Sequence, residues 1–160
     1  MSATAAPTPA VPAVGTVAPD FSLASTSGET VTLSALRGTP VLLAFFPAAF
    51  TSVCTAEMCA FTDDWDAFGA SGVRVLPISV DGVPSLAEFR KQHALRTELL
   101  SDFRREASRA YGTLLEKAYL SNRAYFLIDG DGIVRWAHVE EHPGKRRENA
   151  EILAAIGQLG

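Results

Sequence analysis

The chain carries two cysteines, Cys54 and Cys59, in the stretch Phe45-Phe46-Pro47-Ala48-Ala49-Phe50-Thr51-Ser52-Val53-Cys54-Thr55-Ala56-Glu57-Met58-Cys59. An ionised cysteine is a strong nucleophile at neutral pH, so its surroundings decide what such a pair does. Before the cysteines, Val41-Leu42-Leu43-Ala44-Phe45-Phe46 is an unbroken apolar run that reads as a central strand ending at Pro47. After Cys54, the apolar positions Met58, Phe61, Trp65 and Phe68 recur at spacings of four and three, which predicts a helix with one buried stripe. Thr51 or Ser52 is a candidate N-cap, and Cys54 then sits where backbone N–H groups have no helical partner. Those donors and the positive end of the helix dipole stabilise a thiolate, and Cys54 reads as the nucleophile.

The same cysteines with His138 and His142 meet the ligand count of a zinc site. Two histidines four residues apart on a continuing strand would stand about 13 Å from each other. Two cysteines five apart on a helix point in different directions. We therefore expect no metal and no cofactor.

The elements that must position Cys54 follow from patterning. Phe21–Leu23 and Thr30–Leu33, separated by Ser27-Gly28, predict a small N-terminal hairpin. Val73–Val80 predicts a second buried strand, Ser85–His93 a helix, Leu99-Leu100 a short extended piece, and Arg104–Tyr111 another helix. Arg123–Ile128 and Ile133–His138 flank Asp129-Gly130-Asp131-Gly132, a hairpin signal, and a closing helix is expected from Lys145 to Leu159. Strands alternating with helices, joined to an antiparallel hairpin and a final helix, predict an α/β domain with a mixed sheet. Residues 1–14, rich in Ala, Pro and Thr, read as a tail, and residues 15–160 as the domain.

Composition narrows the function classes. At 160 residues, 48% hydrophobic and 20% charged, the chain matches one domain able to bury about 70% of its unfolded surface without disulfide staples. With 14 Lys+Arg against 18 Asp+Glu the net charge is -4, the wrong sign for a phosphate-binding surface, so nucleic acid is not an expected partner. No apolar run approaches the roughly 18 residues of a membrane span, and the N-terminus has neither a basic start nor an apolar segment. A cytoplasmic location is expected, where paired cysteines are more often catalytic than structural.

Pro47, Thr51 and Cys54 together form Pro-x-x-x-Thr-x-x-Cys, and on this motif the chain resembles the peroxiredoxins, thiol peroxidases on a thioredoxin-like fold. The resemblance runs from about Gly15 to the end. Ala18-Pro19-Asp20-Phe21 is similar to the family's opening strand, and Arg123-Ala124-Tyr125-Phe126-Leu127-Ile128-Asp129 to the segment carrying its active-site arginine. It implies that Cys54 attacks hydrogen peroxide or an organic hydroperoxide and becomes a sulfenic acid. Arg123 would be the cation near sulfur and peroxide, Thr51 the hydroxyl that orients the peroxide, and Pro47 a shield against water. Taken singly, Arg123 is a surface residue at a strand start, Thr51 an N-cap and Pro47 a strand terminator. Glu57 is given a supporting hydrogen-bond role outside the catalytic set. Phe45, Phe50 and Tyr125 are expected near the peroxide entrance.

The Cys-x4-Cys spacing is similar to the bacterioferritin-comigratory, or Q-type, branch, in which the second cysteine resolves the sulfenic acid; Cys59 would hold that role. Ser52-Val53 before the reactive cysteine looks closer to the alkyl hydroperoxide reductase E branch, which has one cysteine, and in that reading Cys59 is packing. In an intact helix a five-residue step separates Cα atoms by about 8.7 Å, beyond the limit of about 7 Å for a disulfide. A Cys54–Cys59 bridge therefore requires the first helical turns to unwind. The implied reductant is thioredoxin, glutaredoxin or another thiol, and the expected assembly is a monomer or weak homodimer. A peroxide sensor that passes its oxidation to a partner protein would carry the same residues. A thioredoxin-type oxidoreductase would carry Cys-x-x-Cys, which this sequence lacks.

Overall fold

The computed structural model describes residues 10–159, so the first nine residues of the expected tail lie outside the described residues. Every residue of β3 (Val41–Phe45) is buried, as an unbroken apolar run requires of a strand covered on both faces. It pairs in parallel with β4 (Arg74–Ser79) and antiparallel with β8 (Ala124–Ile128). The N-terminal hairpin of β1 (Ser22–Ser25) and β2 (Thr30–Thr32) extends the sheet through β5 (Leu100–Ser101). At the other side, β9 (Val134–Val139) pairs antiparallel with β8. The order β2-β1-β5-β4-β3-β8-β9 makes one seven-stranded mixed sheet, the α/β arrangement the patterning predicts.

Alternation along β3 divides the core into two layers. Leu42, Ala44 and Phe46 face α1 (Ser52–Asp63), α2 (Trp65–Ala70), α3 (Val83–Gln92) and α5 (Asn149–Gly157), whose buried Met58, Phe61, Phe68, Leu86, Phe89, Ile152 and Ile156 complete that layer. Val41, Leu43 and Phe45 face the opposite layer with Leu23, Val31, Phe126, Val134 and Tyr111, the last following α4 (Glu106–Ala110). Each large apolar side chain so buried contributes about 1.5–3 kcal/mol.

Beyond shifts of a residue or two at element ends, three features differ from those expected. The helix from Cys54 through Phe68 is broken at Asp64 into α1 and α2. Asn149 of α5 reaches that break, donating to the Ala60 carbonyl at 2.8 Å and to Asp64 Oδ2 at 2.7 Å, so a tertiary contact fixes a kink that periodicity does not reveal. The closing helix starts at Asn149, not Lys145, and residues 140–148 are loop and turn. A second, two-stranded sheet of β6 (Leu114–Leu115) and β7 (Leu120–Ser121) was not expected, its strands being too short for an alternation signal.

Register decides what meets at one end of the large sheet. Phe45 lies opposite Ala124 and beside Ile78, and Ala124 lies opposite Val139. One residue further on, the chain leaving β3, Arg123 just before β8, and Glu140 after β9 therefore come together, with Glu140 N–H donating to the Arg123 carbonyl at 3.0 Å. At the opposite end Asp129 holds the β8–β9 turn. Its carboxylate accepts from the Asp131 and Ile133 amides at 2.9 and 3.0 Å and from Arg135 Nε at 2.5 Å. Gly132 supplies the turn's positive φ of 82°, in a spot already filled by the Arg37 guanidinium.

Partial burial opposes ionisation of Asp129, but the Ile133 amide, Arg135 and the Asp131 amide outweigh it and hold the carboxyl below its ordinary value. Its native value thus lies below its unfolded one, so its contribution is present above about pH 4 and is lost as pH falls through the native value. Asp129→Ala should lower Tm by a few degrees at about pH 7, and thermal melts should show that gap closing toward about pH 3.

Candidate active site

α1 begins directly after the β3 loop, with Thr51 at the N-cap position in extended conformation (φ -82°, ψ 152°). The first intrahelical bond runs from Thr55 N–H to the Thr51 carbonyl at 2.8 Å, so the amides of Ser52, Val53 and Cys54 precede the helical ladder. The Thr51 hydroxyl does not cap them. It donates to the Ala48 carbonyl at 2.9 Å, tightening the loop and leaving its lone pairs unused by that bond. Pro47 is buried where β3 ends.

Cys54 is 1% exposed, and Arg123 Nη2 donates to its Sγ at 3.0 Å. The guanidinium is itself buried, and its remaining donors are distributed among fixed acceptors. Nη1 donates to Glu57 Oε1 at 2.6 Å, while Nε and Nη2 donate to the Pro143 carbonyl at 3.2 and 3.1 Å. The second oxygen of Glu57 accepts from the Tyr125 hydroxyl, which in turn accepts from the Arg147 N–H at 3.0 Å. Arg147 is held by Glu140, with Nε to Oε2 at 2.8 Å and Nη2 to Oε1 at 3.2 Å. Pairing and hydrogen bonding of this completeness are what make a buried cation tolerable.

The charge balance is asymmetric. Burial alone would pull the Arg123 guanidinium down, but Glu57 and Cys54 outweigh it and hold the group above its ordinary value, so it stays cationic. Burial pushes the Glu57 carboxyl up, against the opposing pull of Arg123 and the Tyr125 hydroxyl. Burial and then the neighbouring Glu57 push the Tyr125 phenol up, so it remains a neutral donor. The Arg123 cation at the sulfur, with the amides of the helix start, can stabilise negative charge that develops on an oxygen bound beside it.

The structure brings Cys54 and Arg123 into contact, with Pro47 and Thr51 on the loop that leads into α1. Cys59 stays on the same unbroken helix, half-buried against the core, and both thiols are free. Of the three aromatics expected near a peroxide entrance, only Phe50 is exposed, at 50%. Phe45 faces the other core layer, because alternate residues of β3 point to opposite sides of the sheet. Tyr125 is on the Cys54 side but fully buried beneath Glu57. Because α1 starts at Ser52, Glu57 lies beyond its first turn. Its spacing of three from Cys54 puts both on the buried face, and a glutamate in an apolar stripe was the available sign of a buried partner. Pro143 and Arg147 carried no such sign, because they act through backbone groups. Among the described residues no cluster of three or more His, Cys, Asp or Glu forms a metal site, and no helix is long and apolar enough to cross a membrane.

Removing the Glu57 carboxylate leaves the Arg123 guanidinium and the Tyr125 hydroxyl short of partners in the interior. Glu57→Ala should cost about 3 kcal/mol, measured as a shifted midpoint in equilibrium denaturation.

A family model described as AhpC/TSA matches residues 14–137. Alkyl hydroperoxide reductase E of Mycobacterium tuberculosis is 38% identical over 149 residues, spanning 89% of this chain and 97% of that protein. Peroxiredoxin Bcp of Escherichia coli is 37% identical over 124 residues, spanning 74% of this chain and 80% of the relative. The crystal structure of reduced 2-Cys peroxiredoxin from Plasmodium vivax superposes with a TM-score of 0.83 at 31% identity, covering 90% of this chain and 80% of that one. The sheet and helices thus have the thioredoxin-like arrangement of these proteins.

Proposed function

Because the chain belongs to the AhpC/TSA family and is a peroxiredoxin, a thiol peroxidase, we propose that Cys54 is the sulfur that reduces the peroxide. The reading is carried by the 3.0 Å bond from Arg123 to Sγ, made by a cation that Glu57 and Pro143 prevent from turning elsewhere. The thiolate attacks one oxygen of hydrogen peroxide or an organic hydroperoxide. The O–O bond breaks, a hydroxyl remains on sulfur as sulfenic acid, and the other oxygen leaves as an alkoxide or hydroxide that takes up a proton. Arg123 stabilises the charge passing from sulfur to the departing oxygen. The Thr51 hydroxyl, anchored to Ala48, offers its lone pairs to the peroxide proton, and Pro47 keeps bulk water from the sulfur.

Cys59 closes the cycle by attacking the sulfenic acid, releasing water and forming a disulfide that thioredoxin or a similar dithiol then reduces. With both cysteines on intact α1, closure waits on unwinding of the helix start. That same continuity favours a second reading, in which Cys59 is packing and an external thiol attacks the Cys54 sulfenic acid directly. Residues 15–160 form the catalytic domain, which works as a monomer or weak homodimer, and two free thiols suit a reducing compartment such as the cytoplasm.

Cys54→Ser should abolish peroxide consumption in a thioredoxin-coupled assay, and full activity in that variant would refute the proposal. Intact mass after one equivalent of peroxide distinguishes the cycles. Loss of two hydrogens indicates the internal bridge, whereas gain of one oxygen indicates the one-cysteine route. Undiminished thioredoxin-linked turnover in Cys59→Ser removes the resolving role alone.

A further inference from the structure

We propose that Asp81 is a positioning residue for the peroxide step: a latch, in the turn after β4, that holds the loop presenting Cys54 in its reactive form and so restrains the unwinding needed for the disulfide. The inference rests on Cys54 being the peroxide-reducing sulfur and Cys59 its resolving partner. Residues 46–51 connect β3 to α1, and their shape is held from outside. Ala49 N–H donates to Asp81 Oδ2 at 2.8 Å, across from the end of β4. The same oxygen accepts from the Ser79 hydroxyl at 2.7 Å, and Asp81 N–H donates back to that hydroxyl at 3.2 Å, which fixes the carboxylate's direction. The Ser101 hydroxyl donates to the Asp81 carbonyl at 2.6 Å, tying the residue to the neighbouring strand. Asp81 is thus tied to the ends of β4 and β5, and the Ala49 amide is the loop group it grips.

The loop needs such a grip. Phe50, next to Ala49, has a φ of 68°, a left-handed conformation that a bulky side chain adopts only when its surroundings impose it. Its ring is half exposed and leans on Phe89 of α3 at 5.1 Å. From Met58 onward α1 is embedded in the core, so it can open only from its N-terminal end, where the loop is attached. Releasing Ala49 lets the loop relax toward ordinary backbone angles. The first turn then loses its fixed origin, and Sγ loses its alignment with Arg123. One change should therefore move the two chemical steps in opposite directions. Attack on peroxide needs the closed loop, whereas closure of Cys54–S–OH with Cys59–SH to the disulfide and water needs the open one.

The test is single-turnover stopped flow on the reduced full chain with hydrogen peroxide, following the fluorescence of Trp65 and Trp136, with quenched samples identified by mass. In Asp81→Ala the peroxide-dependent phase should slow about tenfold, the scale of one lost hydrogen bond to a charged acceptor. The following disulfide phase should quicken several-fold. Asp81→Asn, which keeps an oxygen facing Ala49 and Ser79, should stay within about threefold of the original rates. Hydrogen exchange of the first-turn amides of α1 should speed up in Asp81→Ala relative to those of α5. If Asp81→Ala does not fold, Ser79→Ala, which frees the carboxylate to turn, should shift both phases in the same directions by less. Wild-type peroxide reactivity in Asp81→Ala, or both phases slowing together, overturns the latch. Failure of the underlying reading looks different: Cys59→Ser, with Asp81 intact, would then gain no oxygen at Cys54.

Discussion

A single buried cation sets the terms for everything around it. Arg123 is 1% exposed, and a guanidinium cannot shed its charge to escape the interior, so each of its donors must find an acceptor there. Glu57, Pro143 and the Cys54 sulfur supply them. Because the carboxylate and the carbonyl fix two sides of the planar group, an Nη2 N–H is left pointing at sulfur. Glu57 is in turn held by Tyr125, Tyr125 by the Arg147 amide, and Arg147 by Glu140, so the direction of one bond to sulfur is secured by a chain of contacts spanning α1, β8 and the 140–148 loop.

The sheet makes that convergence possible. The parallel pairing of β3 with β4 and the antiparallel pairing of β3 with β8 bring the end of two strands and the start of a third to the same edge. The Cys54 loop, Asp81 and Arg123 emerge there within reach of one another. The segment 140–148 then folds over the cation, and α5 seats it through Asn149, which also marks the break between α1 and α2. Stability and reactivity are coupled in this arrangement. The hydrogen bonds that satisfy buried charge are the same ones that present the sulfur, and the loop in front of Cys54 carries local backbone strain that the sheet edge holds in place.

The sulfur itself lies beneath this surface, at 1% exposure. In the proposed cycle peroxide would meet the closed site, whereas Cys59, on the same intact helix, would reach the Cys54 sulfur only once the helix start opens.

Much of this was legible in the sequence because it is written in local patterns. The apolar run of β3, the three-four spacing after Cys54 and the Asp-Gly-Asp-Gly turn each follow from residues close in the chain. The motif of Pro47, Thr51 and Cys54 likewise spans a few positions, and Arg123 stood out by family resemblance alone. Tertiary structure decided the rest. Glu57 as the counter-charge of Arg123 depends on a contact between residues 66 positions apart. The kink at Asp64, the loop in place of the first turn of the closing helix, and the inward placement of Tyr125 depend on partners such as Asn149, Pro143 and the Arg147 amide. Local propensity records which backbone shape a segment prefers on its own; where a buried charge must be satisfied from across the fold, only the packed chain determines which groups answer it.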